Sequence, residues 1–143
     1  MVFCDTSTLA KYYVVEAGSE AVRIRLDAED QVVLSELARA ELMAVFHRRL
    51  RERKWNNSAH LATVRQFDQD DAGGFWEWVP LDSDIVQRAA RTFVTLPENV
   101  FLRTADCLHL ITAQRHGFSE MFTHDLHQIK AAEALGLEAI VLE

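Results

Sequence analysis

Cysteine is scarce in this sequence of 143 residues: Cys4 and Cys107 are the only two. They make no disulfide framework, and neither stands in a CxxC pair that would suit a metal. They read instead as small buried residues, in a chain expected to keep its thiols reduced in the cytoplasm. No apolar run approaches the roughly 20 residues of a membrane span. The opening Met1-Val2-Phe3-Cys4-Asp5 lacks the basic start and small-residue cleavage site of an export signal, and reads as a buried strand. Internal repeats, low-complexity tracts and linkers are also missing. What is present is 49% hydrophobic and 26% charged, the profile of one globular domain over 1–143 with a core of its own.

Basic charge is in short supply as well. Fifteen Lys and Arg stand against 22 Asp and Glu, a net charge of −7. Affinity for nucleic acid comes largely from neutralising phosphates, so an acidic chain is a poor general binder. A nucleic-acid reading therefore needs carboxylates that converge on a divalent cation, which offsets part of their charge, and a local basic path. The one dense basic run is His47-Arg48-Arg49-Leu50-Arg51-Glu52-Arg53-Lys54. It reads equally as such a path or as a solvated helix end whose cations the macrodipole favours.

Short β-like runs alternate with longer helical ones. Strands are expected at Val2–Cys4, Val32–Leu34, Phe75–Val79 (stopped by Pro80), Met121–Thr123 and Ala139–Leu142. Helices are expected over Thr8–Val15 and Ser19–Glu29, then from an N-cap at Ser35 to about Arg53. Further helices run from a cap at Asn57 or Ser58 towards Gly73-Gly74, and from Asp82 or Ser83 to about Phe93. Beyond a loop over Thr95–Leu102, one runs from a cap at Thr104 to His116 with Gly117 as its stop, and one over Leu126–Leu135 ending at Gly136. This alternation implies a three-layer α/β/α sandwich with a mainly parallel central sheet. Sites in such folds lie beyond the carboxyl ends of the strands, near a topological switch point.

Four carboxylates fall on informative places of that map. Asp5 follows the first strand and Asp125 follows the strand Met121–Thr123. Asp106 lies in the first turn of its helix, where the macrodipole alone would favour an acid. Glu41 has Leu37, Ala44 and Val45 as its i−4, i+3 and i+4 neighbours, an apolar stripe on which an unpaired carboxylate is costly. Taken singly, each has a bland account: a cap, a turn or an ion pair.

Together they match a pattern. Val2-Phe3-Cys4-Asp5-Thr6-Ser7-Thr8-Leu9 resembles the opening of PIN domains. Ser35-Glu36-Leu37-Ala38-Arg39-Ala40-Glu41, Leu102-Arg103-Thr104-Ala105-Asp106-Cys107-Leu108-His109-Leu110 and Phe122-Thr123-His124-Asp125-Leu126 resemble the second, third and fourth signatures, in order. No one motif is specific, but the likeness covers nearly the whole chain. It extends to the VapC-like toxins of type II toxin–antitoxin pairs. The resemblance implies a Mg²⁺- or Mn²⁺-dependent endoribonuclease with its metal site at Asp5, Glu41, Asp106 and Asp125. Oxygen-only ligands suit such hard cations, which polarise phosphoryl oxygens and activate water. Asp5 and Asp106 are the expected direct ligands. Glu41 and Asp125 are left as water-mediated ligands, ligands to a second metal, or orienting base. The hydroxyls of Thr6, Ser7 and Thr123 are candidates to orient carboxylates or waters. One departure stands out: some members carry another acid after the fourth signature, where this chain has Leu126-His127-Gln128. The resemblance also implies a small antitoxin partner, with a basic side chain offered to the acidic groove, and a homodimer.

The rival readings are an inactive PIN-like binding module, a structure-specific DNA nuclease and a phospho-acceptor receiver domain. The last needs a lysine after its final strand, and Lys11, Lys54 and Lys130 are not so placed. His124 and His127 bracket Asp125, but a strand-end His-x-x-His has poor zinc geometry. No nucleophile-elbow motif supports a Ser-His-Asp triad. Trp76 and Trp78, on one strand face, are expected to pack in the core. Tyr12 and Tyr13 are candidates for an interface.

Overall fold

A computed structural model describes residues 1–143 throughout. Five short strands, β1 (Val2–Phe3), β2 (Val32–Ser35), β3 (Trp76–Val79), β4 (Glu120–Phe122) and β5 (Glu138–Ile140), alternate with seven helices. These are α1 (Thr6–Tyr13), α2 (Ser19–Asp27), α3 (Leu37–Arg51), α4 (Asn57–Ala72), α5 (Ser83–Thr95), α6 (Thr104–Arg115) and α7 (Leu126–Ala134). Every strand pairing is parallel. β1, β2 and β3 form one sheet and β4 and β5 another, and a single parallel bridge between Cys4 and Phe122 joins β1 to β4. The combined order is therefore β3-β2-β1-β4-β5. The chain builds outward from β1 to one edge, then crosses back to build the other. The switch point lies between β1 and β4.

Side-chain alternation along the strands divides the apolar residues between two cores. Phe3, Val33, Val79 and Met121 face α5, α6 and α7, with Ile85, Ala89, Leu110 and Ala131 opposite them. Cys4, Val32, Leu34, Trp76 and Phe122 face α1–α4, against Leu9, Leu26, Leu42 and Phe46. All four residues of β2 are buried, as expected of a parallel strand covered on both faces. Both cysteines are buried and free.

The element ends differ from expectation in instructive ways. α1 starts at Thr6 and not Thr8, because Asp5 takes the N-cap position and its Oδ1 accepts the Thr8 amide at 3.1 Å. Ser35 belongs to β2; its hydroxyl accepts the Leu37 amide at 3.3 Å, but Glu36 holds the cap position of α3. Asn56, one residue earlier than expected, caps α4 through the Ala59 amide at 2.8 Å. Thr104 is the first residue of α6, and Arg103 precedes it without capping. β4 and β5 each begin one residue earlier than expected, and β4 ends before Thr123, β5 before Val141. Thr123 is freed for hydrogen bonds described below. Gly117, at φ +79°, does end α6 as expected.

The aromatic residues follow the core reading. Trp76 is buried and its Nε1 donates to the Tyr13 hydroxyl at 2.7 Å, which in turn donates to Asp70 at 2.6 Å. Tyr12 donates to Asp27 at 2.7 Å, so both tyrosine hydroxyls are committed within the chain. Trp78 is half-buried beneath the Arg39 guanidinium, 4.2 Å from its ring centroid, and donates to Asp71 at 2.6 Å.

Leu34 sits fully buried on β2, between β1 and β3. Leu34→Ala should destabilise the fold by about 2–5 kcal/mol, the usual range for a core truncation. Urea unfolding followed by circular dichroism measures it. A change below about 0.5 kcal/mol would mean that the two sub-sheets are not held by this core.

Candidate active site

The switch point between β1 and β4 opens into a cavity of about 770 Å³, whose walls come from α1, α3, α6 and the start of α7. Asp5, Thr6, Ser7, Glu41, Asp106 and Asp125 all line it. Thr123 lies directly behind the wall, fully buried.

Asp5 is built in by both sides of the switch. Its backbone N–H donates to the Phe122 carbonyl at 3.1 Å, continuing the β1–β4 contact past the last strand residues. Its Oδ1 accepts the Ser7 hydroxyl at 2.6 Å as well as the Thr8 amide. Its Oδ2 accepts the Thr123 hydroxyl at 2.6 Å. Ser7 Oγ also accepts the His124 amide at 2.8 Å, and Thr123 Oγ1 the Asp125 amide at 3.2 Å. Each hydroxyl thus spends its one proton on Asp5 and its lone pairs on the loop after β4. Asp5 is 2% exposed. Burial pushes its carboxyl above the usual range, and the nearby His109 and the three donors only partly offset this.

Glu41 lies just off the buried stripe Ala38-Leu42-Phe46 of α3, so its carboxylate faces the cavity. Its Oε1 accepts the Thr6 hydroxyl at 2.7 Å and meets His109 Nε2 at 2.5 Å. A carboxylate only accepts, so Nε2 carries the proton; Nδ1 of this buried ring has no partner. Burial pushes Glu41 up, but the His109 bond and charge, Thr6 and the more distant Arg103 outweigh it and hold the carboxyl below the ordinary value.

Asp106 and Asp125 share Arg103. Its Nε donates to Asp106 Oδ2 at 3.0 Å and its Nη2 to Asp125 Oδ2 at 2.7 Å. Asp125 also caps α7, accepting the His127 and Gln128 amides at 2.9 and 3.1 Å. Burial raises the Asp106 carboxyl, and repulsion from Asp125 and Asp5 adds to the rise against the pull of Arg103. These carboxylates therefore crowd one another, and Arg103 supplies their counter-charge.

The structure thus brings all four acids and the three hydroxyls to one place. Sequence reasoning missed Arg103 and His109, although both stand at i−3 and i+3 from Asp106 on one helix face. It also missed Gln128, fully buried, which donates to the Asp106 carbonyl at 3.2 Å. His124 is not available to a metal: Nε2 donates to the Leu142 carbonyl at 3.0 Å, so Nδ1 accepts the Thr8 hydroxyl at 2.9 Å. His127 packs edge-on against Phe101.

No three Asp, Glu, His or Cys side chains stand close enough together in this arrangement to enclose a cation. The donor chemistry nonetheless fits one. The donors are carboxylate oxygens in one cavity; burial raises Asp5 and Asp106, repulsion adds to the rise at Asp106, and one arginine is shared by Asp106 and Asp125.

The raised Asp5 and Asp106 have a consequence for stability. A carboxyl whose value is raised in the folded chain favours folding most below its unfolded value, and that contribution is lost as pH rises through the folded one. Near neutral pH the ionised Asp106 is therefore a cost to the metal-free fold. Asp106→Asn should raise the urea midpoint at pH 7 with divalent ions removed. The gain should shrink as pH falls through the carboxylate range. A lower midpoint at pH 7 would show that the Arg103 contact outweighs burial and repulsion.

Comparison with known proteins places the fold. The profile of the PIN domain family matches residues 2–134. A curated relative named ribonuclease VapC46, from Mycobacterium tuberculosis, is 32% identical over 146 residues, covering 97% of this chain and 95% of its own. The crystal structure of VapC20, a sarcin-ricin loop cleaving toxin of Mycobacterium tuberculosis, has the same fold. Its TM-score is 0.72 at 16% identity, over 92% of this chain and 95% of that one. A toxin–antitoxin complex from Klebsiella pneumoniae contains a chain with a TM-score of 0.62 at 18% identity, over 98% of this chain and 96% of that one. With a profile matched over nearly its whole length and a fold to go with it, this chain belongs to the PIN domain family.

Proposed function

We propose that the chain, as one domain, is an endoribonuclease that hydrolyses RNA phosphodiester bonds with a divalent cation, Mg²⁺ or Mn²⁺. We place it as the toxin half of a cytoplasmic toxin–antitoxin pair. The observation that carries this reading is the convergence of Asp5, Glu41, Asp106 and Asp125 on one cavity at the sheet's switch point. The 32% identical relative named a ribonuclease supports the activity, and the neighbour solved as a toxin–antitoxin complex supports a protein partner. The absence of any helix long and apolar enough to cross a membrane is compatible with the location. A homodimer is part of the same proposal.

Asp5 and Asp106 are the residues to hold the cation, with Glu41 and Asp125 beside them. The cation supplies charge to a phosphoryl oxygen and lowers the cost of ionising water. The rest falls to the protein. Ser7 and Thr123 fix the plane of the Asp5 carboxylate, and Thr6 and His109 fix that of Glu41. Water attacks phosphorus in line with the leaving 3′-oxygen; its proton passes to a cavity carboxylate, the P–O3′ bond breaks, and the departing 3′-oxygen takes a proton from solvent water. The products carry a 5′-phosphate and a 3′-hydroxyl. Glu41, held ionised by His109 and Thr6, begins the step without a proton.

The test is cleavage of single-stranded cellular RNA with and without Mn²⁺. Asparagine caps a helix as well as aspartate, so Asp5→Asn keeps α1 while weakening the cation site. It should lower metal-dependent cleavage by more than about 100-fold, and Thr123→Val, which loosens Asp5, by about 10–100-fold. Mn²⁺ should raise the melting temperature of the wild type and not that of Asp5→Asn. Equal cleavage by wild type and Asp5→Asn would overturn the assignment, and preference for flapped DNA would move the substrate from RNA to DNA.

A further inference from the structure

The cavity extends along α3 beyond the acids. Helical spacing places Glu41, Val45, Arg48, Arg49 and Glu52 on one stripe, and all five line the same cavity. At about 1.5 Å per residue, Arg48 and Arg49 stand about 10–12 Å along the axis from Glu41. That is more than one nucleotide step, yet within the same continuous wall.

The two arginines differ from the other cations there. Arg103 is taken up by Asp106 and Asp125, Lys11 by Glu16 and the Ala17 carbonyl, and Lys54 by Glu52 at 3.6 Å. Neither Arg48 nor Arg49 makes a salt bridge or a side-chain hydrogen bond to any residue. Arg49 is also held in place. Its guanidinium lies over the Trp55 ring, 5.5 Å from the centroid, and its Nε is buried without a partner. Trp55 is anchored in turn, donating from Nε1 to the Phe46 carbonyl at 3.1 Å and packing edge-on against the Phe46 ring. A planar cation stripped of part of its water and stacked on an aromatic ring is suited to two-pronged contact with a phosphate.

We propose that Arg48 and Arg49 form a phosphate-binding site on α3 for the backbone of single-stranded RNA, receiving phosphates next to the cleaved one. This inference rests on the ribonuclease reading and deepens it. Arg48 and Arg49 are positioning residues: they act on longer RNA through register and affinity and do not touch the reacting phosphate. They also give an acidic chain its local basic path. An acidic protein segment is the competing occupant for the same two cations.

The experiment uses full-length protein carrying Asp5→Asn, so that RNA is bound and not cut. Fluorescence anisotropy measures its affinity for a labelled 12-nucleotide RNA across a salt series. Adding R48A and R49A should weaken binding at least about tenfold at low salt. It should also reduce the slope of log K against log[salt] by about 1.4, two phosphates' worth for a single strand. R48A alone, at an exposed position, should remove about half of that slope and guards against a packing effect at Arg49. R91A on α5 should leave both quantities unchanged. In the active protein, R48A/R49A should slow cleavage of the 12-mer more than that of a dinucleotide, which is too short to reach the pair.

Unchanged affinity and slope in R48A and in R48A/R49A, with RNA still bound, would overturn the site while leaving the nuclease reading intact. A poly-glutamate peptide of equal charge that binds more tightly than the RNA, and loses its binding in the same variants, would assign the face to an acidic protein segment and overturn the RNA site. No RNA binding by the parent protein, together with no metal-dependent cleavage by wild type, would overturn both readings.

Discussion

The Asp5 carboxylate is the interaction on which the site depends. The sheet has a seam between β1 and β4, crossed by one bridge and by the bond from the Asp5 amide to Phe122. Past that point the strands end, and the hydroxyls of Ser7 and Thr123 continue the connection by donating to the two oxygens of one buried side chain. Burying that carboxylate is unfavourable by itself, and three donors only partly compensate. The residue that ties the two halves of the sheet together therefore also raises the free energy of the ionised, metal-free fold. Stability and a poised acidic centre oppose each other at Asp5, as expected where a structure carries strain for function.

The order of elements was legible because hydrophobic runs of strand length alternated with amphipathic helices, and the parallel sheet followed from that alternation. Their ends were less legible. Asp5 and Asp125 read from sequence as caps or as site residues, and the structure makes them both at once: each caps a helix through one oxygen and faces the cavity. A sequence pattern that assigns one role per residue misplaces the helix start, which is why α1 begins two residues early. Thr104 failed as a cap for a related reason. Arg103, in the cap position, directs its side chain to Asp106 and Asp125, and the first turn of α6 is organised by that ion pair.

The partners of the acids were hidden because they depend on tertiary distance. The apolar neighbours of Glu41 call for a partner, and the sequence suggests an ion pair or a metal. The partner is a buried histidine from α6, 68 residues away. His109 reads as an ordinary residue on a helix buried on much of its surface, with seven of its twelve residues buried. Only the approach of the α6 ring to the Glu41 carboxylate across the cavity gives His109 its role. The same placement brings the ring close to Asp5.

Net charge is a poor guide to this molecule because the charges are sorted by surface. Over the whole chain acids exceed bases by seven. The cavity is lined by six acids and five lysines or arginines, which makes it nearly balanced, with four of the acids gathered at the sheet end and two uncommitted arginines towards the far end of α3. One helix carries both ends of that gradient on a single stripe, so its register decides the whole arrangement. At about 100° per residue, one residue added between Glu41 and Arg48 would turn the arginines away from the cavity wall while leaving composition and net charge essentially unchanged. The electrostatics that matter here are set by helical phase.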